Sequence, residues 1–317
     1  LAHHLPVSST MLSTLSRASR QYVLRVTQRS LSSAAVSEGS GSVTQSLYMW
    51  GTNKDGSLMD LPAKVEVPTL VDWRLKLNVE DESVSIREVV CGPTDTAIVL
   101  SDGRCFVSGQ NKQGQLGLGH MNPTTTPTQI PDISVKTISL GPNSSALVDT
   151  DGELYTFGFG GSTLSGVGQL GHGDAQNYLE PKLVHSIMED GCHTQQVAVG
   201  ESHTSVLTTE GEILCTGASA YGKLGNFETV DQLFLEPVEL LISGVDQIAA
   251  GKSFTVALKD GVVYGWGRNH KGQLGTGYGM AVDMYAMSEV PSEVVSDELA
   301  SKTVSKVAAG HSLAAGI

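Results

Sequence analysis

One short phrase recurs along this chain, and a chain that repeats a phrase folds by repetition. It reads GQNKQGQLG at Gly109–Gly117, GVGQLG at Gly166–Gly171, GASAYGKLG at Gly217–Gly225 and GRNHKGQLG at Gly267–Gly275. A worn copy, GTNKDGSLM, covers Gly51–Met59. The glycine that closes the preceding strand falls at Gly51, Gly109, Gly158, Gly217 and Gly267, in steps of 58, 49, 59 and 50 residues. A second marker, a glycine after an apolar stretch, falls at Gly92, Gly141, Gly200, Gly251 and Gly310. A third is a two-residue turn: Asp102-Gly103, Asp151-Gly152, Glu210-Gly211 and Asp260-Gly261. The three markers move together.

Each unit reads as short strands joined by tight turns. In the clearest one, VKTISLG (Val135–Gly141) alternates apolar and polar residues, as a half-buried strand does. A second strand holds Ala146, Leu147 and Val148 and ends at Asp151-Gly152, a pair suited to the positive φ of a tight hairpin turn. Glu153–Gly160 reads as the third strand, and a fourth lies around Pro181–Val184. One such sheet cannot bury both faces alone. Sheets stacked radially shield one another, so the expected fold is all-β: a β-propeller of four-stranded antiparallel blades, about five of them present. The leucines of the phrase, Leu116, Leu170, Leu224 and Leu274, are placed to plug the spaces between blades.

Two units carry extra residues. GFGGSTLSGV adds a five-residue insertion before Gly168, and Gly277–Val290 is a longer excursion bearing Met280, Met284, Tyr285 and Met287. Insertions in repeat proteins map to loops, often on one binding face. The excursion is a candidate contact surface.

The formal charge of the chain is −13. Residues 1–37 contain four arginines and no acid, which leaves 16 basic against 33 acidic residues beyond them. So acidic a body is a poor general binder of phosphate and favours protein partners with basic faces. Residues 1–10 precede Met11 and read as an upstream, non-native segment. Residues 11–37, rich in Arg and Ser, read as an organellar transit peptide, mitochondrial with chloroplast as the alternative. Residues 38–46 are a Gly/Ser-rich linker, and 47–317 the propeller. No run approaches a membrane span. Cys91, Cys105, Cys192 and Cys215 lie far apart, as buried reduced thiols would.

The repeated W/F-G-x-N-x-x-G-Q-L-G phrase resembles the regulator of chromosome condensation repeat, together with AVGESHTSVL (Ala198–Leu207), AAGKSFTVAL (Ala249–Leu258) and AAGHSLAAG (Ala308–Gly316). The resemblance runs from Leu47 to the last residue. It implies a β-propeller, usually of seven blades. Here the chain opens on a third strand and stops in a second, so at most five blades form, with the two ends sharing one. A C-terminal truncation of a seven-bladed ring is the expectation. Members of the family divide between nucleotide exchange on small GTPases and partner binding without chemistry. Organelle-targeted members resemble factors for mitochondrial ribosome or RNA processing and exchange factors for membrane-fusion GTPases.

No motif for catalysis, a metal or a cofactor is expected. Gly217–Lys223 nearly spells a P-loop but has Leu224 where Ser or Thr should hold magnesium. His203 and His311 read as one structural slot of the repeat. No spacing brings histidines onto a metal or assembles a nucleophile with a base. The function expected is a protein-binding scaffold in an organelle, in mitochondrial ribosome or RNA-processing assembly; the alternative is a guanine nucleotide exchange factor. The partner is then a ribosome-assembly factor or a GTPase. The candidate contact residues precede the GQLG phrase: Asn111, Lys112 and Gln113 in one loop, Asn269, His270 and Lys271 in another.

Overall fold

In the computed structural model the described residues are 25–28 and 45–317, apart from 190, 228, 229, 239, 242, 278–284, 300 and 301. The repeat unit is an antiparallel sheet of four strands in chain order. The second sheet comprises Ile86–Cys91, Asp95–Leu100, Cys105–Gly109 and Thr124–Gln129. The third comprises Val135–Leu140, Ser144–Asp149, Leu154–Gly158 and Tyr178–Leu183. The fourth is Thr194–Val199, His203–Thr208, Ile213–Gly217 and Gln232–Pro237. The fifth is Gln247–Ala250, Phe254–Lys259, Val262–Arg268 and Met287–Glu293.

Burial explains the order of strands. Second strands such as Ser144–Asp149 and His203–Thr208 are buried at every residue, whereas the fourth strand Thr124–Gln129 has no buried residue. The second strand is thus the most shielded part of a sheet, with a half-buried first strand such as Ile86–Cys91 on one side and a wet rim at the fourth. The glycine closing every third strand has a specific cause. The ladder to the fourth strand slips at that point in all four sheets, between Val107 and Gly109, Thr156 and Gly158, Cys215 and Gly217, and Gly265 and Gly267. At Gly109 φ is 129°, and a Cβ would stand 2.4 Å from the Thr94 carbonyl oxygen, so only glycine fits.

Neighbouring sheets meet at their first strands. The Gln196 amide donates to the Ile248 carbonyl at 3.0 Å and accepts from the Ile248 N–H at 3.0 Å. Gln247 repeats the second contact one sheet on, accepting from the Val307 N–H at 2.8 Å. Between sheets lie apolar layers with contributions from both sides. Leu116 packs with Val107, Ile138 and Phe157, and Leu224 with Cys215, Ile248 and Trp266. Leu116, Leu170, Leu224 and Leu274 are 0%, 2%, 0% and 1% exposed. The plugging role expected of them holds, and burying each leucine contributes about 1.5–3 kcal/mol.

The two ends do not join in one shared blade, the arrangement that a closed five-bladed ring would need. The first sheet is Arg25–Gln28, Gln45–Thr52 and Lys64–Val71, and the sixth is the pair Val307–Ala309 and Ala314–Gly316. Arg25–Gln28 pairs with Gln45–Thr52 along the edge that a shared blade would give to Ala314–Gly316. That strand falls within the stretch read as a transit segment, the rest of which lies outside the described residues.

Two short helices, Trp73–Lys76 and His185–Glu189, carry no repeat signature and were not foreseen. No helix among the described residues is long and apolar enough to cross a membrane. Cys105 and Cys215 are buried as expected, but Cys91 and Cys192 are only half-buried. In the methionine-bearing excursion, Met280 and Met284 lie outside the described residues, while Tyr285 and Met287 are exposed.

Candidate functional site

Two sets of loops share one face of the propeller, because strands alternate in direction. The inner set joins first to second strands at Gly92, Gly141, Gly200 and Gly251. The outer set joins third to fourth strands and carries the GQLG phrase. The Asp-Gly turns lie on the opposite face.

The outer loops are stapled from within. Asn111 is fully buried; its Oδ1 accepts the Leu116 N–H at 3.0 Å and its amide donates to the His120 carbonyl at 2.7 Å. Asn269 accepts the Leu274 N–H at 3.0 Å, and Asn53 accepts the Leu58 N–H at 2.7 Å. The glutamine of the phrase closes the same loop, since Gln115 accepts from the Gln113 N–H at 3.0 Å and Gln273 from the Lys271 N–H at 2.8 Å. Of the six candidate contact residues, Asn111 and Asn269 therefore face inward and hold the loop. Lys112 and Lys271 are exposed, and Gln113 and His270 half-buried. The two triplets belong to the second and fifth sheets, with two sheets between them, and do not form one site.

The fourth and fifth sheets gather charge on this face. Lys223 stands where other copies have Gln, and it is 3% exposed. Its ammonium donates to Ser202 Oγ at 2.8 Å, inside the protein. Burial pulls its pKa down to about 8, against the opposite pull of Glu201 and Asp231, while Arg268 and Lys252 add repulsion. Glu201 meets Lys252 at 3.0 Å. Arg268 lies 4.4 Å from the Tyr221 ring centroid.

His203 is fully buried, with its Nε2 3.0 Å from Thr255 Oγ1 on the neighbouring sheet. Burial drops its pKa to about 3. Ser205 Oγ lies 3.3 Å from Thr255 Oγ1 and 3.2 Å from Cys215 Sγ, whose thiol burial pushes up to about 12. This chain of polar groups joins two blades and is sealed from solvent, so no substrate reaches it. The shared slot expected of His203 and His311 is corrected by the backbone. The Gly200 N–H donates to the His203 carbonyl and the Gly310 N–H to that of Leu313, which makes Leu313 the counterpart. Among the described residues no three His, Cys, Asp or Glu side chains are grouped to hold a metal.

The insertion in the third sheet folds as a two-stranded hairpin, Gly161–Ser162 against Gly166–Val167. The Gly168 N–H donates to the Gly160 carbonyl at 3.0 Å, and the Val167 N–H to Asp231 Oδ2 on the next sheet at 3.0 Å. The tip residue Leu164 is 99% exposed. Nearby on the outer loop of the fourth sheet, Phe227 and Val230 are 59% and 66% exposed. The length of the insertion marked this place in the sequence; nothing in it foretold that Leu164 would stand clear of the surface.

The description "Regulator of chromosome condensation (RCC1) repeat" fits residues 102–148, 151–207 and 260–317, and a second form of it fits 245–273, together more than half of the chain. Human "Probable E3 ubiquitin-protein ligase HERC3" is 32% identical over 70% of this chain and 20% of its own length. The Arabidopsis thaliana "Ultraviolet-B receptor UVR8" is 35% identical over 61% of this chain and 44% of its own. The chain thus spans less than half of either relative. Among solved structures, human WBSCR16 matches with a TM-score of 0.66 at 21% identity, over 84% of this chain and 67% of that one. Yeast RCC1 (Prp20), bound to Kap60, matches at 0.67 and 21%, over 83% and 60%. The repeats, the blades and these matches agree, and the chain belongs to the RCC1-repeat family of β-propellers.

Proposed function

We propose that this chain is a non-catalytic, protein-binding propeller that presents its GQLG-loop face to a partner. The hairpin carries the reading. Leu164 at its tip, with Phe227 and Val230 beside Asp231, which braces the projection, leaves a group of large apolar side chains 99%, 59% and 66% exposed on one edge of this face. A binding face needs such an apolar anchor near polar groups. The buried polar chain at His203 offers no reacting group to a substrate. Work in an organelle, in mitochondrial ribosome or RNA-processing assembly, is part of the proposal and is supported by the acid-free, Arg/Ser-rich stretch 11–37. The test compares Leu164→Asp with wild type in affinity purification from mitochondria. Loss of the partner with an unchanged melting temperature supports the reading; equal recovery contradicts it.

Nucleotide exchange on a small or organellar GTPase is the second reading, favoured by the same hairpin. A braced projection can open a nucleotide pocket by shape alone. Yeast Prp20p, a structural neighbour with a TM-score of 0.56 at 15% identity, was described with its binding to Gsp1p and histones. The check is release of labelled GDP from organellar GTPases. Acceleration abolished by Leu164→Asp supports exchange, and the spontaneous rate rejects it.

A further inference from the structure

Two joints between outer loops are built from the same pair of repeat positions with different chemistry. The residue after the strand-closing glycine is Gln110 in the second sheet and Arg268 in the fifth. The residue before the first glycine of the phrase, one sheet earlier, is Asp55 and Tyr221 respectively. At the first joint the Gln110 amide donates to Asp55 Oδ1 at 2.6 Å, so the polar side chain is satisfied inside the protein. At the second, the Arg268 guanidinium lies 4.4 Å from the centroid of the Tyr221 ring. An aromatic face holds a guanidinium in place without using any of its N–H donors.

Those donors are left over. Arg268 forms no ion pair among the described residues, and its Nε is buried without a hydrogen-bond partner. The surrounding carboxylates are engaged elsewhere: Glu201 by Lys252 at 3.0 Å, and Asp231 by the backbone N–H groups of Ser219 and Val167, at 2.9 and 3.0 Å. Glu289, on the outer strand behind Gly222, makes no ion pair with Arg268. The loop following Arg268 adds His270, with Nδ1 also buried and unpartnered, and the exposed Lys271. Tyr221 itself has φ of 67°, a left-handed conformation that a bulky residue rarely adopts. A left-handed tyrosine beneath a donor-rich arginine, on a chain of net charge −13, sets this joint apart from its counterpart at Gln110.

We infer that Arg268, stacked on Tyr221 and flanked by His270 and Lys271, forms a carboxylate-reading site for an acidic segment of a protein partner. The two terminal nitrogens of the guanidinium donate two parallel N–H···O bonds to one carboxylate, and Lys271 supplies a second, screened charge at the rim. The site deepens the reading of this face as protein-binding and rests on it. It uses different side chains from the hairpin tip, so the two are tested separately.

The experiment titrates the full chain with a fluorescent hexaglutamate peptide and with hexaglutamine, following anisotropy at low salt. Wild type is expected to bind hexaglutamate and not hexaglutamine. Arg268→Gln is expected to weaken binding about tenfold or more, the scale of a lost charge-assisted bond pair. Should Arg268→Gln alter the melting temperature, Lys271→Glu, on an exposed side chain, carries the test with an expected loss of the same sign. Asp102→Asn on the opposite face should leave binding unchanged. Equal affinity of wild type and both variants, equal binding of hexaglutamine, or binding of inorganic phosphate without hexaglutamate would each overturn the inference.

Discussion

The side-chain oxygen of Asn269 accepts the backbone N–H of Leu274 at 3.0 Å, and Leu274 is thereby driven 1% exposed into the layer beneath the loop. The same bond recurs at Asn111 and Asn53, so the loop shape is a property of the repeat. Asn269→Ala leaves a buried N–H without a partner and should cost about 1–3 kcal/mol. Lys271→Ala, two residues on and exposed, should stay within about 0.5 kcal/mol of wild type. Urea unfolding of the two variants checks the contrast.

Leu116 fills the layer between the second and third sheets. Leu116→Ala removes the plug from a site walled by Phe157 and Ile138, and should destabilise by about 2–5 kcal/mol. Leu164→Ala, at a side chain 99% exposed, should leave stability unchanged while altering partner binding. Thermal unfolding separates the two leucines.

Asp95 opens a buried second strand with neither carboxylate oxygen hydrogen-bonded, and burial raises its pKa to about 8. The folded state therefore holds a proton that the unfolded state releases above its ordinary carboxylate value. Stability from this group falls as pH rises between about 4 and 8. Asp95→Asn removes that dependence. Its melting temperature relative to wild type should rise steadily from pH 5 to pH 8, and a constant difference would contradict the assignment.

Lys223 titrates in the opposite sense. Its folded pKa of about 8 lies below that of a free lysine, so the unfolded state binds more protons between pH 8 and about 10.5, and stability from this group rises with pH in that window. Lys223→Gln restores the residue found in three other copies of the phrase. It should be more stable than wild type at pH 7, with the gain shrinking as pH passes from 8 to 10.5. Melting curves of the pair across that range check the sign.

Much of the fold was legible because it is written several times. The glycines, Asp-Gly turns and GQLG leucines recur with the backbone geometry they serve, so Gly109 and Leu116 could be placed from spacing alone. The worn first copy kept Asn53 and lost only its glutamine and last glycine, and its loop is stapled as those of Asn111 and Asn269 are. The site was less legible for the same reason. Repetition marks what all copies share, which is structure, while function sits where copies differ. Asn111 and Asn269, candidates by their place in the loops before GQLG, hold those loops from within. Tyr221 and Arg268, each a departure from its slot, meet only when the fold brings two loops together. His311 was matched to His203 by residue type, whereas hydrogen bonding matches Leu313.

The GQLG face, led by its hairpin, is where we propose that this propeller meets a protein. The direct measurement places a photo-crosslinking amino acid at position 164 and, in a second variant, at position 102 on the opposite face, and irradiates each in mitochondrial extract. One defined protein adduct is expected from position 164, displaced by excess unlabelled wild-type chain, and none from position 102. Adducts of equal yield from both positions, or a defined adduct from position 102 alone, would contradict it.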